Sequence, residues 1–185
     1  MASQGLSGQN RLMMPLAGSL LIAMPDLTDP NFSRTVLLVL EHDAGGAVGV
    51  VLNRPSELSP FDDLPAWADL VALPAVVFLG GPVEPDAAVG LAAADDESGV
   101  NGVRVVDLSS EPGEPAVAVR IFAGYAGWGP QQLEAELIQG GWIVARAEPG
   151  DVFTDEPREL WRRVVRRQPG RVSMYANFPD NPQFN

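Results

Sequence analysis

Phe122-Ala-Gly-Tyr-Ala-Gly-Trp-Gly-Pro-Gln-Gln-Leu-Glu134 is the stretch that decides the fold. Apolar residues from Val117 to Ala123 predict a strand, and Gly124 to Gly129 predict a glycine-rich aromatic turn. Pro130 to Gln139 then reads as a helix, closed by the Gly140-Gly141 break. Proline suits the first helical position and glycine the residue just past the end. A strand, turn and helix in this order can hold an anion on backbone amides. Here the spacing is not a dinucleotide fingerprint and no lysine follows to complete a phosphate loop. Glu134 and Glu136 already complement the positive end of the helix dipole. The glycines are therefore read as permitting special dihedrals and close packing around Tyr125 and Trp128.

Upstream, Ser19 to Met24, Thr35 to Leu40 and Ala47 to Leu52 are apolar runs of strand length. The polar link His42-Asp-Ala-Gly-Gly46 makes the second and third antiparallel neighbours. Pro60 to Leu70 places Phe61, Leu64, Trp67 and Leu70 at helical spacing, which Pro65 limits to a short or broken helix. Ala75 to Leu79 predicts a strand ending at Gly80-Gly-Pro-Val83, with Ala87 to Ala93 as its return. The strand Val103 to Leu108 is flanked by acidic loops, Asp95 to Gly102 and Ser109 to Pro115. Downstream come a strand, Trp142 to Ala147, and a helix from Pro157 to Arg167 capped by Thr154 or Asp155, with Gly170 beyond it. Strands outnumber helices and lack regular crossover helices, so the fold class is α+β with mostly antiparallel pairing. Residues 1–14 are expected to be a flexible tail, 15–177 a single domain and 178–185 a second tail.

The chain of 185 residues is 46% hydrophobic and 19% charged, the composition of a folded globule large enough for its own core. It has no cysteine, which excludes disulfides, thiolate catalysis and cysteine-ligated metals. Net charge is −12 and every basic residue is arginine, so bulk electrostatics repels nucleic acid and anionic membranes. Leu12 to Met24 resembles a signal-peptide core only superficially, because Pro15 and Gly18 interrupt it and a single Arg11 precedes it. No uninterrupted apolar run approaches the ~20 residues of a spanning helix. The expectation is a cytoplasmic protein.

Four constellations could carry chemistry. His42, the only histidine, lies between Glu41 and Asp43, so imidazole catalysis or a carboxylate-rich metal site would have to run through it. No Gly-x-Ser-x-Gly elbow accompanies it. Arg34 and Arg54, with Asp26, Asp29 and Asn53 close in sequence, read as an Arg-Asp pair and an asparagine-centred turn fixing strand ends, or as an arginine-lined anion pocket. Gly80 and Gly81 form a third turn beside a strand end. In Leu160-Trp-Arg-Arg-Val-Val-Arg-Arg167, Leu160, Trp161, Val164 and Val165 share one arc, and Arg162, Arg163, Arg166 and Arg167 share the other. That face is either solvated above a docked helix or a local surface for nucleic acid or an acidic partner.

At these motifs the chain resembles the YqgE/AlgH family of bacterial proteins. The matching elements are Gly18-Ser-Leu-Leu-Ile-Ala-x-Pro25, Asp29-x-x-Phe32-x-Arg34-Thr-Val36, His42, Gly49-Val-Val-Leu-Asn-Arg-Pro55, Gly80-Gly-Pro-Val83, Phe122-x-Gly-Tyr-Ala-Gly-Trp128 with Gln132-Leu-Glu134, and Gly141-Trp142. The resemblance implies a branched sheet curled into a partial barrel with a few flanking helices. It assigns no biochemical activity; one branch takes its name from a regulatory effect on alginate production. The leading functional expectation is a non-catalytic binding or regulatory protein, without metal or cofactor. Its partner, a protein or a small molecule, would meet a surface of Arg34, His42, Asn53, Arg54, Gly80, Gly81, Tyr125 and Trp128. The alternatives are a hydrolase or metal-dependent enzyme centred on His42, and a transcriptional regulator or nucleic-acid binder using the C-terminal arginines.

Overall fold

The computed structural model describes residues 16–27, 29–60, 63–94, 101–113 and 117–178. The expected tail 1–14, the residues beyond Phe178 and most of the acidic stretch Asp95 to Gly102 lie outside them.

Eight strands build the sheet: β1 Ser19–Ala23, β2 Val36–Asp43, β3 Gly46–Val51, β4 Phe78–Leu79, β5 Val83–Ala93, β6 Val103–Val106, β7 Val119–Trp128 and β8 Trp142–Arg146. Their order is β6-β5-β7-β3-β2-β1-β8, with β4 paired to β7 off this path. Every pairing is antiparallel except β4 with β7. The branch point is β7. Phe122 and Ala123 pair with β5 on one edge and with β4 on the other. That second edge passes to β3 at Ala126. The architecture is thus α+β with an open, branched, mostly antiparallel sheet.

Both faces of the sheet are covered, which explains why β1, β3, β7 and the first half of β2 are buried with little alternation. On one face Leu20, Ile22, Leu38, Val50, Leu91, Val103, Phe122 and Ala145 form a single core with Leu160, Trp161, Val164 and Val165. Residues of β6 and β8, the two ends of the strand order, belong to this one cluster. The four helical residues lie on α3, Leu160–Arg166, which follows a 3₁₀ turn at Pro157–Glu159 and precedes another at Gly170–Asn177. All four apolar positions of the predicted arc are buried. The cap differs from expectation: the Thr154 hydroxyl accepts from the Glu156 amide (3.1 Å), and neither Thr154 nor Asp155 is the residue that opens the helix. A one-turn α2, Pro149–Val152, adds Val152 to the same core.

The opposite face packs Leu21, Leu37, Val39, Ala47, Val51, Ala126, Trp128 and Trp142 under Leu133. Leu133 belongs to α1, Gln132–Ile138. This helix starts later than Pro130 because Gln131 takes a left-handed conformation (φ 63°) immediately before it.

Three further expectations change. The aromatic turn at Gly124 to Gly129 is strand through Trp128, since β3 and β5 supply backbone partners along that stretch. The strand foreseen at Ala75 to Leu79 shrinks to Phe78–Leu79. Its supposed return, β5, pairs with β6 and β7 instead. Pro65 does restrict its segment to a 3₁₀ helix, Pro65–Leu70, anchored where the buried Trp67 indole donates to the carbonyls of Leu108 and Ser110 (3.2 and 3.1 Å).

Candidate functional site

His42 is placed by a defect in strand pairing. Val39 pairs with Gly49 but Glu41 pairs with Val48, so Leu40 is an extra residue that reverses the alternation. His42, opposite Ala47, thereby turns to the face carrying α1 instead of the face of Leu38. There the amide of Leu16 donates to Nδ1 (3.3 Å). Nδ1 is thus the acceptor, and Nε2 carries the proton it donates to Glu134 Oε1 at 2.9 Å. The histidine side chain is 4% exposed. Both ring nitrogens are occupied, and the imidazole joins the segment before β1 to α1. Among the described residues no group of three or more His, Asp or Glu could hold a metal ion.

Arg34, Asn53, Arg54, Gly80 and Gly81 gather at the other end of β2 and β3. Asn53 Oδ1 accepts from the Val36 amide (2.9 Å) and its Nδ2 donates to the Arg34 carbonyl (2.9 Å), which fastens the start of β2 to the end of β3. Arg34, with φ 54°, lays its guanidinium 4.8 Å from the Trp161 ring centre and donates to the Phe178 carbonyl. Arg54 Nη2 donates to the carbonyls of Pro30 (2.9 Å) and Ser33 (3.3 Å) rather than forming a bidentate pair. Burial pushes its pKa below the ordinary arginine value, partly offset by the charge of Asp29. Arg54 lines a cleft of about 170 Å³ with Asn31, Val51, Leu79, Gly81, Pro82, Pro85 and Ala123. Its Nε and Nη1 groups meet no acceptor among the described residues.

The glycine pair permits a close crossing of chains. A Cβ on Gly81 would lie 2.3 Å from the carbonyl of Tyr125, so only glycine lets the link between β4 and β5 rest on β7. In the same place the Val51 amide donates to Gly80 O (2.9 Å) and the Gly80 amide to Ala123 O (2.8 Å).

Tyr125 and Trp128 part company. Tyr125 packs against the core under α3, while Trp128 lies under α1. Trp128 stacks on Phe32 with ring centres 6.4 Å apart and meets Trp142 edge-on at 6.2 Å. Glu136 Oε2 accepts both indole N–H groups, at 3.0 Å from Trp128 and 2.8 Å from Trp142. Gln132 donates to its other oxygen (3.0 Å). The i, i+4 spacing of Gln132 and Glu136 is readable in the sequence; the convergence of two distant tryptophans on one carboxylate is not.

The C-terminal arginines are unequal. Arg167 is clasped by Asp151 through both Nη groups and by Glu148 at 2.9 Å. Burial lowers its pKa, but the hydrogen bond and charge of Asp151 and the charge of Glu148 outweigh that and raise it. Arg162 pairs with Glu159 at 3.8 Å. Arg163 and Arg166 have no ion pair among the described residues. Sequence reasoning passed over Arg120 altogether. Only 1% exposed, it donates to the carbonyls of Thr154 (3.0 Å) and Leu73 (2.6 Å) over the Phe78 ring. It sits in an alternating strand, where nothing local marks a cation as buried.

Fold and site together define an α+β protein on a branched antiparallel sheet, with its histidine closed off and an arginine-edged cleft at one end. The family model described as DUF179, AlgH-like, matches residues 20–173, and the chain belongs to that family. A UPF0301 protein of Streptomyces avermitilis is 48% identical over 184 residues, covering 92% of this chain and 95% of the relative. One from Streptomyces coelicolor is 50% identical with the same coverage. Among solved structures, protein DIP2367 from Corynebacterium diphtheriae superposes with a TM-score of 0.83 at 32% identity, over 91% of this chain and 95% of that one. The AlgH protein from Pseudomonas aeruginosa does so with a TM-score of 0.65 at 28% identity, over 96% and 100%. No helix among the described residues is long and apolar enough to cross a membrane.

Proposed function

We propose that this chain is a non-catalytic binding or regulatory protein of the cytoplasm, docking a protein partner at the Arg54 cleft. The observation that carries the reading is the contrast between its two polar ends. At one, both nitrogens of His42 are taken by Leu16 and Glu134, so no imidazole nitrogen is left to move a substrate proton. At the other, Arg54 lines a cleft whose walls, Val51, Leu79, Pro82, Pro85 and Ala123, are apolar.

Size selects the kind of occupant. Small-molecule sites usually enclose about 300–1,000 Å³, and a cleft of about 170 Å³ holds little more than one side chain. An acidic side chain presented by a partner fits, its carboxylate on Arg54 and its stem against Leu79, which is 48% exposed. Backbone bonds pin Arg54 in advance, which reduces the entropy lost on docking.

Site-specific photo-crosslinking in the native bacterial cytoplasm tests this. A photoreactive residue at Leu79 traps a defined partner, whereas one at Leu73, exposed elsewhere on the chain, does not. Equal trapping at both positions, or none at Leu79, removes the docking reading. A purified protein that turns over a substrate and loses that activity in His42→Gln removes the non-catalytic one.

A further inference from the structure

A groove of about 480 Å³ runs between α2 and α3, lined by Glu148, Gly150, Asp151, Arg163, Arg166 and Arg167. Arg163 and Arg166 on α3 and Arg167, which caps its C-terminal end, are spaced i, i+3 and i+4, so their side chains leave one face of the helix within a single turn. Like charges that close repel one another unless anions intervene. The structure supplies such anions to only one of them. Arg167 takes both carboxylates of the groove, the 2% exposed Asp151 and the surface Glu148. The acceptor capacity of Asp151 is further used by the Glu148 amide, which donates to Oδ2 at 2.8 Å.

Arg163 and the exposed Arg166 line the groove with no carboxylate partner among the described residues. Arg163 shows the deficit most directly: its Nη2 is shut off from solvent and has no hydrogen-bond acceptor. A buried guanidinium nitrogen without an acceptor is unfavourable. Rotation toward an oxyanion in the groove would recover the missing bond. We propose that this groove binds a small phosphorylated anion, with Arg163 and Arg166 as its two ligands and Arg167, already paired with Asp151 and Glu148, as its floor.

The three arginines and two carboxylates of the groove leave it a net charge of +1, so it attracts an anion. A phosphate monoester carries −1.5 to −2 charges near pH 7 and three acceptor oxygens, which matches two unpaired guanidinium groups. A nucleic acid fits poorly. Two unmatched cations release few counterions, and a chain of net charge −12 repels the remainder of a polyanion. The inference does not depend on the Arg54 cleft, which lies among different elements and can fail separately.

Titration of the full chain with inorganic phosphate and with phenyl phosphate, at ionic strength held constant with sodium chloride, provides the test. Thermal midpoint and the arginine Nε–Hε resonances are the two readouts. Both anions are expected to raise the midpoint saturably and to shift the resonances of Arg163 and Arg166. Each of Arg163→Gln and Arg166→Gln should weaken binding by roughly tenfold or more. The resonances of the unsubstituted protein keep the test decisive if a variant folds poorly. Saturable binding of phenyl phosphate at least equal to that of phosphate assigns the groove to a phosphoryl group carried on a larger molecule; tighter binding of phosphate assigns it to the free ion. The proposal is overturned if chloride alone reproduces the rise, if both variants bind as the parent does, or if duplex DNA binds and phosphate fails to displace it.

Discussion

Glu136 is the residue on which the α1 face depends most. Its carboxylate is the shared acceptor of two indoles that are only 6% and 3% exposed, so its removal strands two donors in the interior. At about 1–3 kcal/mol for each unmet buried donor, Glu136→Ala should cost about 2–6 kcal/mol in urea unfolding, with a red-shifted tryptophan emission. Glu136→Gln keeps one acceptor oxygen and should cost less than half as much. A loss no larger than that of an ordinary surface substitution would show that water reaches both indoles. Arg120 gives a second residue-level expectation, this time in pH. Burial lowers its pKa to about 10, with the charge of Asp155 offsetting part of the effect. Below that value the folded and unfolded chains both hold the proton. Above it the folded chain releases a proton that the unfolded chain retains, so the Arg120 contribution to stability rises with pH. The chain contains no lysine, which leaves tyrosine as the main competing side-chain titration in this range. The stability gap between the parent and Arg120→Met should therefore move in favour of the parent between pH 8 and pH 11. A gap that is flat or moves the other way would mean the guanidinium is better solvated than its 1% exposure implies.

Between elements, the close crossing of the β4–β5 link over β7 sets the tightest tolerance. Gly81→Ala forces a methyl group to 2.3 Å from the Tyr125 carbonyl, and relief requires movement of backbone. Gly140 shares a positive φ, at 80°, but a methyl there meets nothing within 4 Å. Dihedral strain alone costs Gly140→Ala about 1–2 kcal/mol, whereas Gly81→Ala should lose at least about 1–3 kcal/mol more from overpacking. Equal losses in chemical denaturation would show that the crossing relaxes without cost. The same crossing explains which elements the sequence disclosed. β1, β2, β3 and α3 were legible because each buries a pattern that its own residues repeat, apolar runs in the strands and an apolar arc from Leu160 to Val165 in the helix. The continuation of β7 was hidden because Gly124 and Gly127 locally resemble turn signals, and only neighbouring strands keep them extended. The side on which His42 emerges was hidden too, since it depends on Leu40 being skipped by the β3 ladder. For the cleft, Asn53-Arg54 and Gly80-Gly81 were legible as polar and glycine-rich strand ends, but their meeting is a matter of topology. Glu136 and Arg120 matter through partners six to 47 positions away, beyond the reach of any local pattern.

On the scale of the whole molecule, protection follows strand order. β2 is flanked on both sides and β7 has three neighbours, whereas β6 is four residues long at the end of the strand order. Native-state hydrogen exchange should be slowest in β2 and the middle of β7 and fastest in β6. Comparable rates in β6 and β2 would mean that the sheet opens only as one unit. The position of β7 has a further consequence for biogenesis. It is the seventh strand to leave the ribosome, yet it belongs between the third and the fifth. Until residue 128 clears the exit tunnel, the nascent chain displays an unsatisfied β3 edge and an unsatisfied β5 edge at once. Such edges invite intermolecular pairing, so the period of synthesis between β3 and β7 is when this chain most needs a holdase.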